Sequence, residues 1–120
     1  MGRYKRGTDD IVTKRVDLTH DLGSSTTVTA NGERGTLTLK LKADVVAGGG
    51  SGTNTFTFSN TFIEADSIVN MSVVSNHQLI IWAYLAKLVD NQCEVQFTNS
   101  SEASTIANNS DIELAYRVVN

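Results

Sequence analysis

The chain has 120 residues, a formal net charge of -3, 40% hydrophobic and 19% charged residues, which is material for one domain around a single core. It holds no apolar run near the roughly 20 residues that a membrane helix needs, and its charge content is that of a folded chain, not of a disordered polyelectrolyte. Its one cysteine, Cys93, excludes an intramolecular disulfide and a cysteine-based metal cluster.

Charge is unevenly spread. Residues 1–15 carry Arg3, Lys5, Arg6, Lys14 and Arg15 against Asp9 and Asp10, a local +3, while the rest of the chain sums to -6. The expectation is a basic N-terminal arm over 1–15 and a β-domain over 16–120. With few apolar residues before Ile11, the arm is expected to be disordered in the free protein and to order against carboxylates. No hydrophobic signal segment follows Met1, so no secretion is expected. An acidic body lacks the basic face that phosphate binding wants, so nucleic acid is not an expected partner; nor is a membrane.

Beyond the arm, the pattern has period two. Over 36–42, Leu37, Leu39 and Leu41 alternate with Thr36, Thr38, Lys40 and Lys42, which lines the leucines up on one face of a strand and would scatter them on a helix. Phe56 and Phe58 alternate with Thr55 and Thr57. Further on, Cys93, Val95 and Phe97 alternate with Glu94, Gln96 and Thr98. At the end, Ile112, Leu114, Tyr116 and Val118 alternate with Glu113, Ala115 and Arg117. Strands are expected at 12–18, 26–30, 36–42, 53–59, 67–75, 79–88, 92–98 and 112–119. The core is expected to hold Leu37, Leu39, Leu41, Phe56, Phe58, Val95, Phe97, Leu114 and Tyr116.

Segments 67–75 and 79–88 are apolar on both faces. The second (LIIWAYLAKL) has the composition of a helix, but Ile80, Ile81, Trp82 and Tyr84 favour a strand. Burial by a neighbouring subunit would account for the missing polar face, so these four residues are the candidate oligomer interface. Asn31-Gly32 reads as a hairpin turn, Asp90-Asn91-Gln92 as another turn, and the glycine-rich 48–52 as a flexible link. The fold class is therefore all-β: about eight strands in an antiparallel, jelly-roll-like sandwich.

No constellation carries enzyme chemistry. His20 and Asp21 are adjacent, so on a strand they point to opposite faces. Cys93 sits on the inward face and reads as a small buried hydrophobe. The Gly48–Gly52 cluster lacks the lysine and helix of a phosphate loop. Acids are dispersed without calcium-loop spacing. The three Asn-x-Ser matches, at Asn70, Asn99 and Asn108, read as chance in an Asn- and Ser-rich chain. No catalytic residue, metal or cofactor is expected.

The order Gly35-Thr-Leu-Thr-Leu39, a Gly/Ala-rich gap, Phe56-Thr-Phe-Ser-Asn60, Ile63-Glu-Ala-Asp-Ser-Ile-Val69, Cys93-Glu-Val-Gln-Phe-Thr-Asn99 and Ile112-Glu-Leu-Ala-Tyr-Arg-Val118 resembles small β-sandwich virion proteins of tailed bacteriophages. The resemblance covers roughly residues 25–120. It implies a structural virion protein similar to capsid decoration (cement) proteins: one made in the host cytoplasm, located on the head surface, bound to the major capsid protein and self-associated as a homotrimer. Arg3, Lys5, Arg6, Lys14 and Arg15 would then be the capsid-binding arm. The alternative it leaves open is a tail-fibre or spike module that holds a host-surface glycan, for which Trp82 and Tyr84 could supply a stacking platform.

Overall fold

The computed structural model describes residues 14–48, 50–74, 81–101 and 104–120, with only the backbone at 50–53, 81, 82 and 84. Eight strands and no helix form in this part: β1 (Leu18–Asp21), β2 (Thr27–Thr29), β3 (Arg34–Lys40), β4 (Gly50–Ser59), β5 (Ile68–Val73), β6 (Ile81–Val89), β7 (Gln92–Asn99) and β8 (Asp111–Val119). They make two four-stranded sheets, β1-β3-β8-β5 (sheet 1) and β2-β4-β7-β6 (sheet 2).

All nine expected core residues are buried, and alternate burial along β3, β7 and β8 follows the sequence pattern. The inner faces of both sheets contribute to one buried cluster. Phe58 of sheet 2 meets Tyr116 of sheet 1 edge-on, ring centroids 4.9 Å apart, a contact favoured by the aromatic quadrupole. Leu22, Val45, Ile63 and Ile106 complete this core from outside the strands. Val45 and Ile106 exchange backbone hydrogen bonds of 2.8 and 3.1 Å, which ties the polar connection before β8 to the loop after β3.

The sheets are mixed, where an antiparallel arrangement was expected. β1 pairs parallel with β3, and β2 parallel with β4; the remaining pairs are antiparallel. The cause is the route of the chain. β2 lies in sheet 2 between β1 and β3 of sheet 1, and β3 lies in sheet 1 between β2 and β4 of sheet 2. Two crossings restore the original direction before the chain rejoins a sheet.

For the same reason Asn31-Gly32 is not a hairpin turn. It joins strands of different sheets, and neither residue has positive φ, whereas Asn91, in the expected 90–92 turn between β6 and β7, does (φ 68°). Of the strand expected over 12–18, residues 12 and 13 lie outside the described residues; within 14–17 only Arg15 makes an isolated bridge, and β1 runs from Leu18 to Asp21. Gly50 to Gly52, expected in a link, lie within β4. The ladder there slips between Ser51 and Phe56, as glycine-rich strands permit. Asn54 in that slip is buried, accepting from Lys42 N (2.9 Å) and donating to Ala43 O (2.8 Å).

The segment that is apolar on both faces is indeed a strand, and a bulge explains part of its pattern. The register slips between Leu85 and Lys87, so Leu85 opposes Val95 and Leu88 opposes Cys93. Both partners are buried. Three residues apart, the two leucines would face opposite ways in a regular strand; one extra residue turns both inward.

Candidate functional site

The best-defined local construction is the seat that receives residues 14–16. Gly32 and Gly35 leave room for it: a Cβ on Gly32 would lie 2.8 Å from Val16 Cγ2, and one on Gly35 would lie 1.8 Å from Val16 O. Lys14 O accepts from Glu33 N (2.8 Å), and Val16 N donates to Arg34 O (2.9 Å). Lys14 N donates to Glu33 Oε1 (3.1 Å), and Tyr116 donates its hydroxyl to Val16 O (3.0 Å). The run Asn31-Gly-Glu-Arg-Gly35 thus serves close backbone approach, not chain reversal. Gly35 inside an otherwise patterned strand was the signal in the sequence that could have shown this.

Of the five arm residues, Arg3, Lys5 and Arg6 lie outside the described residues. Lys14 and Arg15 are placed, and the seat fixes them to the margin of sheet 1. There Arg15 bridges to Arg34, and Arg34 pairs with Arg117. Three arginines therefore stand in one row across neighbouring strands, all exposed. Like charges directly opposite one another destabilise a sheet, so this row asks for anions. Asp17 supplies one: its carboxylate takes the Arg15 Nε at 3.1 Å and accepts from Thr36 N (2.9 Å) and Thr36 Oγ1 (3.0 Å). Those bonds, the arginine's first, hold Asp17 below the usual carboxylate range. Tyr116 beneath the row has its pKa raised, chiefly by burial and then by the Asp17 charge.

Of the candidate interface residues, Ile80 lies outside the described residues. Ile81, Trp82 and Tyr84 are in β6, in register with Asn99, Thr98 and Gln96. β6 is an edge strand.

The other residues weighed from sequence take structural places. His20 Nε2 lies 2.9 Å from Ser25 O, across the turn after β1. Cys93 is buried, and burial pushes its thiol up to about 11. Three buried asparagines clamp connections: Asn54 as above, Asn60 and Asn99. Asn60 donates to Gly32 O (2.7 Å) and accepts from Phe62 N (3.0 Å). Asn99 donates to Val45 O (3.1 Å) and Ser104 O (2.7 Å) and accepts from Ser101 N (2.9 Å). Glu64, Asp66 and Asp90 border a shallow depression at the 61–66 and 90–91 turns, where Asp90 accepts from Ala65 N (2.8 Å). Among the described residues no group of three or more His, Cys, Asp or Glu is placed to hold a metal ion. Among the described residues no helix is long and apolar enough to cross a membrane. No family model, curated protein or solved structure matches the chain.

Proposed function

We propose that this chain is a structural virion protein, a decoration protein that binds the major capsid protein of a phage head, with the two sheets forming a jelly-roll-like sandwich. The observation that carries the reading is the basic segment on an acidic body. Its described end, Lys14 and Arg15, is bolted to the margin of sheet 1 by the seat around Gly32 and Gly35. A tether with a fixed root delivers its charges to a lattice at one defined place, and many such contacts add through symmetry. The alternation of successive strands between the sheets, β6 to β7 excepted, supports the jelly-roll-like reading.

Self-association, as a homotrimer, belongs to the same proposal and would use β6. With nine residues β6 is the longest of the four edge strands among the described residues, and the chain has no proline to block it.

The test is deletion of residues 2–10 followed by binding to undecorated heads at low and high salt. The truncated protein is expected to bind more weakly, and the full chain to lose affinity as salt screens its exposed ion pairs, each worth only about 0–1 kcal/mol. Equal binding of both proteins under both conditions would remove the arm from attachment.

A further inference from the structure

The outward face of sheet 1 is laid out in rows that run across the strands, and its charge is divided between its two ends. One row holds Asn70, Arg117, Arg34 and Arg15. The next outward row holds Ser72, Ala115 and Thr36, in line across the strands. Beyond it come Glu113, Thr38 and Thr19, and then Asp111, Lys40 and Asp21. The small side chains of Ser72, Ala115 and Thr36 thus separate a cationic row from a net-anionic end, with Asp17, paired to Arg15, beside Thr36 at the margin. Among the described residues no ion pair involves Arg117 or Glu113. They stand on one strand four residues apart, about 13 Å at the rise of an extended chain, too far to meet each other.

We infer that this face pairs with the same face of a second copy, about a two-fold axis lying along the Ser72–Ala115–Thr36 row. Such an axis reverses the strand direction and lays β8 on β8 of the other copy. It carries the arginine row of each copy onto the Glu113 row of the other, so each Glu113 comes opposite the Arg117 of its mate. The alternative in-plane axis, along the strands, would set arginine on arginine. Small residues along the middle of the axis let the faces approach to the roughly 10 Å of packed sheets, and Asp17 stays at its margin, paired to Arg15. Charge complementarity is thus carried by one chain, as an isologous contact requires. Lys14 and Arg15, at the sheet margin, remain at the rim. The inference stands apart from the virion proposal and from any contact through β6, which lies in the other sheet.

The face is small. Four strands about 4.8 Å apart and rows spanning about 27 Å give roughly 500 Å² per copy. A total near 1,000 Å² is the lower limit for a specific interface, so the pair is weak and reversible.

The experiment is sedimentation of the full chain over a concentration series up to about 1 mM, at low and high salt, with three variants. The native chain is expected to dimerise and to weaken with salt. Arg117→Glu and Glu113→Arg should each weaken the dimer at least tenfold. The double variant R117E/E113R should restore it, because the swapped charges meet only across the two-fold axis. Circular dichroism checks that each variant is folded. A monomer throughout the series overturns the inference. So does a double variant as weak as the single ones, or an oligomer indifferent to all three, which would leave self-association to β6.

Discussion

Replacing Gly35 by alanine puts a methyl carbon 1.8 Å from the Val16 carbonyl oxygen and 2.7 Å from its carbon, with the Tyr116 ring 3.1 Å away on another side. The atoms in the way are backbone, so no rotamer change relieves the clash; the segment 14–16 must lift off its seat. Gly35 also has φ of +157°, at the border of the range that side chains avoid. Overpacking of this kind costs about 1–3 kcal/mol. Lifting Val16 also stretches its bonds to Arg34 O (2.9 Å) and from the Tyr116 hydroxyl (3.0 Å), at about 0.5–1.5 kcal/mol each. The total is about 4 kcal/mol, a large share of the roughly 5–15 kcal/mol that holds a domain together. Urea denaturation followed by circular dichroism measures it. Tyr116→Phe is the control: it removes the hydroxyl bond alone and should cost about 1 kcal/mol. A Gly35→Ala variant within about 0.5 kcal/mol of the native chain would refute the argument that close approach selects glycine here.

Leu39→Ala empties a fully buried position in the middle of β3 and should cost about 2–5 kcal/mol in the same denaturation assay. Asn99→Ala strands two carbonyls and one N–H that Asn99 now serves; a loss of about 1–3 kcal/mol is expected, and Asn99→Asp, which cannot donate, should be no better. Cys93 titrates high because burial disfavours its thiolate. Its folded-state pKa lies above the unfolded value of about 8.5, so its contribution to stability is whole below that pH and is lost as pH rises toward about 11. The native chain should therefore lose more stability than a Cys93→Ala variant between these limits. In addition, thiol reagents at pH 8 should label the native protein no faster than it opens, as rapid stoichiometric labelling would disprove.

Strand identity and inward face were legible in the amino-acid sequence for β3, β4, β7 and β8, because alternation along a strand is a local property: Leu37, Leu39 and Leu41 face the same side whichever strands lie beside them. The Phe-Thr-Phe-Ser-Asn60 block likewise announced a strand and its end. Where the pattern blurred, at Leu85 to Leu88, the cause was a bulge whose position is set by the partner strand β7. Pairing was not legible. Asn31-Gly32 has the composition of a hairpin turn, yet the chain crosses there between sheets, since Gly32 and Gly35 are needed to receive Val16. Arg15, Arg34 and Arg117 are far apart in sequence and stand in one row only through the registers of β3 with its two neighbours. Local periodicity reports which way a side chain points. Which strands become neighbours is decided by contacts across the whole chain, and the charge layout of the outer face follows from those neighbours.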